Sequence, residues 1–178
     1  LKDSGFNDHF HLSLQSGCDR VLKAMNRHYD TARFAKAVED IRRYFPEAGI
    51  TTDIIAGFPT ETETDFKETC DFAEKIGFSD IHVFPYSERK GTRAAQMEQL
   101  PMEIRRERAA VLGTIKKRLH RAFLNGLKGK TLSVLFEERK DGYSSGYSTN
   151  YARVYSADAA QGEVKDVKVS ELFRQGVK

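Results

Sequence analysis

The stretch "ITTDIIAGF" (Ile50 to Phe58) constrains the fold of this chain more than any other. Ile54-Ile55-Ala56 is too apolar for a strand with one wet face, and is the pattern of a parallel-sheet strand covered on both sides. Its neighbours agree. Residues 9–14 alternate as a strand, Phe10, Leu12 and Leu14 against His11 and Ser13, and "SDIHVFPYS" (Ser79 to Ser87) is a third strand ending before Pro85. Helical patterns lie between them. Asp30 or Thr31 caps a helix to about Tyr44, with Phe34, Ala37, Val38 and Ile41 on one stripe. A second helix carries Phe66, Thr69, Cys70, Ala73 and Ile76 and stops at Gly77. Thr60 and Glu63 have capping-box spacing at its start, and Glu61, Glu63 and Asp65 place acid where the helix dipole favours it. This alternation predicts an α/β fold of parallel βαβ units with right-handed crossovers.

Three strands do not close a barrel, so the expectation is the latter part of a larger α/β unit. Pro101 at a helix N1 position opens a long helix over 101–127, with Leu112, Ile115, Leu119 and Phe123 as its apolar seam. Gly126 and Gly129 mark a composition break. Beyond it, four or five short β-rich runs separated by turn residues, Asp141-Gly142 among them, predict a small all-β barrel of the OB-like kind. The boundary falls at about residue 128, giving units of 1–128 and 129–178.

Charge is uneven. Residues 101–130 carry nine Lys/Arg against two Asp/Glu, whereas residues 1–100 carry 13 against 17. The local excess of +7 suits a polyanion, and nucleic acid is the obvious one; a solvated helix face is the competing reading. Lys116, Lys117, Arg118 and Arg121 are the candidate phosphate contacts. In the tail, Tyr143, Tyr147, Tyr151 and Tyr155 interleave with Asn150 and Arg153; Tyr147, Tyr151 and Arg153 are candidates for base stacking and phosphate pairing. No apolar run approaches the roughly 18 residues a bilayer requires, and the first residues do not resemble a signal peptide. A cytoplasmic protein with no membrane partner is expected.

Ligands of parallel α/β folds sit at the carboxyl ends of the strands. Three loops lie there: Gln15-Ser16-Gly17, Gly57-Phe58-Pro59-Thr60-Glu61 and Pro85-Tyr86-Ser87. Gly17 and Gly57 would let a ligand approach the backbone, and Arg27 could grip a carboxylate bidentately. Cys18 and Cys70 are 52 residues apart and give no support for a zinc site or a disulfide framework. No catalytic residue or metal ligand is assigned within the chain.

"HLSLQSGCDRVLKAMNRHY", "DIIAGFPTETETDF" and "FPYSERKGTRAA", in that order and spacing, resemble the radical S-adenosylmethionine methylthiotransferases. "HVFPYSERKGT" looks like the branch acting on N6-threonylcarbamoyladenosine in tRNA, and "GYSSGYSTNYARVYS" looks like that family's TRAM domain. The resemblance implies a partial TIM-like (β/α) barrel followed by a TRAM barrel. It implies two four-iron–four-sulfur clusters, one held by a CxxxCxxC motif, and S-adenosylmethionine cleaved to a 5′-deoxyadenosyl radical, with methylthiolation at C2 of the adenosine in the tRNA anticodon loop. On that pattern Gln15 and Ser16 face the ribose or methionine of the cofactor and Arg27 its carboxylate. Gly57, Phe58 and Glu61 shape the pocket, and Val83 and Phe84 lie against the adenine. The chain departs from the pattern in having no CxxxCxxC, so it is expected to be an inactive part of the enzyme, with Cys18 and Cys70 as core side chains. It also reads Gly-Phe-Pro-Thr-Glu where Gly-Phe-Pro-Gly-Glu is usual. A ribosomal-protein methylthiotransferase and a non-catalytic RNA-binding module remain as alternatives.

Overall fold

The computed structural model describes residues 7–178. A three-stranded parallel sheet of order β1-β2-β3 is formed by β1 (His9–His11), β2 (Gly49–Ala56) and β3 (Asp80–Pro85). Strand β1 is shorter than its alternation suggests, because the backbone leaves the ladder after His11 and returns for one bridge between Gln15 and Ile54. Between strands run α1 (Asp19–Ala24), α2 (Thr31–Tyr44) and α3 (Glu63–Ile76); the long α4 (Met102–Gly126) follows, with Pro101 as its N-cap rather than its first turn. Leu14, Ile50, Ile54, Ile81, Phe34, Val38, Phe66, Phe78 and Leu112 form one buried core on the helix-covered face.

Side chains alternate across a strand, so the other face of the sheet presents His9, His11, Asp53, His82 and Phe84. That face is only partly covered among the described residues: Asp53 and Ile55 are half-buried and Phe84 is 52% exposed. The double coverage expected of β2 is therefore met on one side alone.

The helix caps follow the sequence with one displacement. Asp30 accepts from the Arg33 amide, and Gly77 ends α3 at φ +67°. The capping box of α3, however, is Thr62 with Asp65, not Thr60 with Glu63. Thr60 stands two residues earlier in the left-handed region at φ +68°. A β-branched residue there carries about 1–2 kcal/mol of strain. Thr60→Gly is expected to raise stability by about 0.5–1 kcal/mol after glycine's greater unfolded-state entropy is subtracted. Urea denaturation midpoints of the two proteins check this; an unchanged or lowered midpoint contradicts it.

Residues beyond α4 form a six-stranded sheet of order β7-β4-β5-β6-β9-β8, from β4 (Thr131–Lys140), β5 (Tyr143–Ser148), β6 (Arg153–Ser156), β7 (Val164–Lys168), β8 (Leu172–Phe173) and β9 (Gly176–Val177). Asp141 and Gly142, at φ +51° and +79°, make the hairpin turn between β4 and β5. Its core, with Val134, Phe136 and Val154 fully buried, receives Leu124 and Leu127 from the end of α4. Asn150 Nδ2 donates to the Glu47 carbonyl at 3.1 Å, Lys130 pairs with Glu47 at 2.7 Å, and Tyr151 stacks on His9 at 4.6 Å. These contacts set the antiparallel sheet beside the open face of the parallel one.

Candidate functional site

At the carboxyl ends of the strands the three predicted loops do come together, but many of their side chains serve the protein itself. Gln15 lies at φ +69° and is 9% exposed. Ser16 is fully buried, its Oγ 3.1 Å from Thr69 Oγ1 and accepting from the Cys18 amide at 3.2 Å. A Cβ at Gly17 would stand 2.8 Å from Phe72 Cβ, and one at Gly57 2.8 Å from Arg105 Cγ. The close approach these glycines permit is thus made by α3 and α4, which replaces the expected ligand approach with a packing reason. Phe58 packs edge-on against Tyr86 at 5.4 Å. Val83 turns into the helix-covered core while Phe84 faces the open side, so the two do not share a surface. Arg27 lies exposed past α1.

The loops are held by two buried arginines of α4 that the reading of charge missed. Arg108 Nη1 donates to Glu61 Oε1 at 2.6 Å and to the Glu61 carbonyl at 3.0 Å, while Glu61 Oε1 also accepts from the Gly57 amide at 3.0 Å. Arg105 donates to the Tyr86 carbonyl at 3.2 Å and to Leu100 and Gln99, its guanidinium over the Tyr86 ring. Burial pushes the Glu61 carboxyl up, against the pull of Arg108. Glu61 Oε2 and Tyr86 Oη are buried without a partner among the described residues. Two orphaned polar atoms at neighbouring strand ends fit a polar ligand there.

The cysteines do not fit an iron–sulfur cluster, which needs thiolates gathered in one place. Cys18 is 2% exposed and its Sγ donates to Asp65 Oδ1 at 3.2 Å. Asp65 is held well below the usual carboxylate range by Arg20. Burial pushes the Cys18 thiol up to about 12 and that of Cys70 to about 11. A thiol whose folded pKa is raised stabilises fully below its unfolded value of 9.0, and that contribution is lost as pH rises from there toward 12. Stability is accordingly expected to fall over that window, and less steeply in Cys18→Ala; equal slopes in the two proteins would contradict the assignment.

A cleft of about 1050 Å³ opens between the two sheets. It lies at the amino-terminal half of the open face, away from the strand-end loops, and is lined by Lys116, Lys117, Arg121, Tyr147, Tyr151 and Arg153 among others. Six of the seven predicted RNA-contact residues therefore meet in one place. Arg118 is the exception: it pairs with Glu74 on α3. Lys116 pairs with Asp80 at 3.2 Å, whereas Lys117 and Arg121 have no ion pair among the described residues. Tyr151, 57% exposed, stacks between His9 and Tyr147, both at 4.6 Å, and Arg153 lies over the Tyr147 and Tyr155 rings. The rings thus stack on one another and on Arg153, forming an aromatic wall beside cations that can pair phosphates.

Residues 1–73 match the family model described as the Radical SAM superfamily. Over 171 residues, 95% of this chain, it is 39% identical to a threonylcarbamoyladenosine tRNA methylthiotransferase of Thermotoga maritima, covering 39% of that protein. It is 42% identical over 167 residues, 93% of the chain, to a tRNA-2-methylthio-N(6)-dimethylallyladenosine synthase of Caldicellulosiruptor saccharolyticus, covering 34% of it. A second threonylcarbamoyladenosine tRNA methylthiotransferase, from Aquifex aeolicus, is 42% identical over 73% of the chain and covered to 32%. The chain thus spans about a third to two-fifths of the length of the curated relatives it matches. Over nearly its whole length the chain is thus similar to tRNA methylthiotransferases, and its residues 1–73 match the Radical SAM superfamily.

Proposed function

We propose that this chain is the C-terminal part of a cytoplasmic tRNA methylthiotransferase that adds a methylthio group at C2 of threonylcarbamoyladenosine in the anticodon loop. Residues 1–128 are the latter part of a TIM-like barrel, and residues 129–178 are a TRAM barrel that helps hold the RNA. The observation that carries the reading is the gathering of Lys117, Arg121, Tyr147, Tyr151 and Arg153 in one cleft beside the open sheet face. A polyanion with unpaired bases suits it better than a ribosomal-protein loop. S-adenosylmethionine would supply the radical chemistry in the longer enzyme. Within this chain the strand-end loops bind and orient it: Gln15, Arg27, Phe84 and the orphaned atoms of Glu61 and Tyr86 are the groups with capacity left to meet it. Ser16, Gly17, Gly57, Phe58 and Val83 hold those loops in place from behind. The cluster ligands are assigned to sequence outside this chain, and the chain alone is inactive.

The relative named for dimethylallyladenosine, at 42% identity, keeps a second substrate open. Titrating the chain with anticodon stem-loops tests the reading. Salt-dependent binding to the unpaired loop is expected, with weaker binding to a fully paired duplex of equal length. Equal affinity for both would remove the loop-reading role.

A further inference from the structure

We infer that His11, Asp53 and His82 form a binding site for a divalent transition-metal ion, zinc by preference, on the open face of the parallel sheet. The three come from three adjacent strands, and Asp53 and His82 are register partners in the β2–β3 ladder. Their donor atoms all lie within 4.8 Å of one another. His11 Nε2 is 3.2 Å from Asp53 Oδ2, and Ser13 Oγ is 3.3 Å from each. Ligands about 2.0 Å from a tetrahedral zinc stand about 3.3 Å apart, so these three oxygens and nitrogens already have the edge length of such a site. His82, exposed, completes it by turning its ring toward Asp53.

The surroundings supply what a metal-binding histidine needs. His11 Nδ1 is 3.0 Å from Thr51 Oγ1, a contact that fixes the ring and leaves Nε2 free to ligate. Two histidines and one carboxylate suit zinc, with Ser13 or a water in the remaining position. That position faces the cleft, since His11 and His82 line it, and is open to an oxygen ligand such as water or a phosphate. The other metal-capable group among the described residues, Cys18, Asp65 and Glu68, lacks these features: Asp65 is already neutralised by Arg20 and the thiol is protonated. The donors of this site are separated by 42 and 29 residues of chain and form no local sequence motif.

Cobalt(II) titration of the 178-residue chain, read by visible absorption, tests this independently of any catalytic reading. One equivalent is expected to give ligand-field bands that zinc abolishes. His82→Ala, at an exposed position, and Asp53→Asn are each expected to weaken binding by more than the roughly 10–100-fold that loss of a supporting partner costs. Circular dichroism confirms that each variant is folded; should Asp53→Asn fail to fold, His82→Ala decides alone. No bands with the folded chain overturn the site. So do bands that survive His82→Ala, or thiolate charge-transfer absorption, which would put the ion on a cysteine.

Discussion

Arg108→Ala is expected to cost about 3–5 kcal/mol of stability. Arg108 and Glu61 are 7% and 4% exposed, and the guanidinium reaches both the carboxylate and the carbonyl of Glu61. Removing it leaves a carboxylate buried without its counter-charge. The loss should ease at acid pH. Burial already raises the Glu61 pKa, and without Arg108 it rises further. A carboxyl with a raised folded pKa stabilises fully below its unfolded value of 4.5, and that contribution disappears as pH climbs through the folded value. The variant is therefore closest to the parent near pH 4.5 and furthest from it at neutral pH. The paired exchange Arg108→Met with Glu61→Leu should cost far less, because it buries no unmatched charge. Denaturation across pH measures all three; a pH-independent deficit in Arg108→Ala would show that lost packing, not an orphaned carboxylate, is responsible.

The second large effect concerns RNA. Exchanging Lys117, Arg121 and Arg153 together for glutamine is expected to reduce the slope of log affinity against log salt by about 2, since each phosphate contact to single-stranded nucleic acid contributes about 0.7. Between 50 and 200 mM salt that is about an order of magnitude less loss of affinity than the parent shows. Tyr151→Ala should weaken binding at every salt concentration without altering the slope, because it removes the middle ring of the His9–Tyr151–Tyr147 stack that forms the cleft wall and takes no charge from it. Arg118→Gln is the internal control. Its side chain is committed to Glu74 outside the cleft, so its slope should match the parent's. A slope that falls with Arg118→Gln and not with the triple exchange would move the interface to the opposite face of α4.

How much of this the sequence revealed depended on whether the deciding signal was local. The two βαβ crossovers, the Gly77 stop and the Asp141-Gly142 turn are written in periods of two and 3.6 residues and in turn chemistry, and the structure has them. The start of α3 was ambiguous because "TETETD" offers two capping boxes two residues apart, and only tertiary packing chooses Thr62. The buried arginines were hidden in a charge run. Their spacing betrays them in retrospect: Arg105, Arg108, Leu112, Ile115 and Leu119 continue one stripe at intervals of three and four. A cation on the apolar stripe of a helix is a candidate for a buried pair, and the count of Lys/Arg alone does not show it. The cleft was legible only as a list of basic and aromatic residues. Its position on the open face depends on how the second sheet docks through Asn150 and Tyr151, a contact made across about a hundred residues of chain.

On the proposed function, this chain serves methylthiolation of tRNA. Mass analysis of nucleosides from the tRNA of cells lacking the gene tests it most directly. 2-Methylthio-threonylcarbamoyladenosine is expected to disappear and threonylcarbamoyladenosine to accumulate in its place, with restoration by the full-length gene and not by one carrying the Lys117, Arg121 and Arg153 exchange. Unaltered methylthio nucleosides in those cells would contradict it.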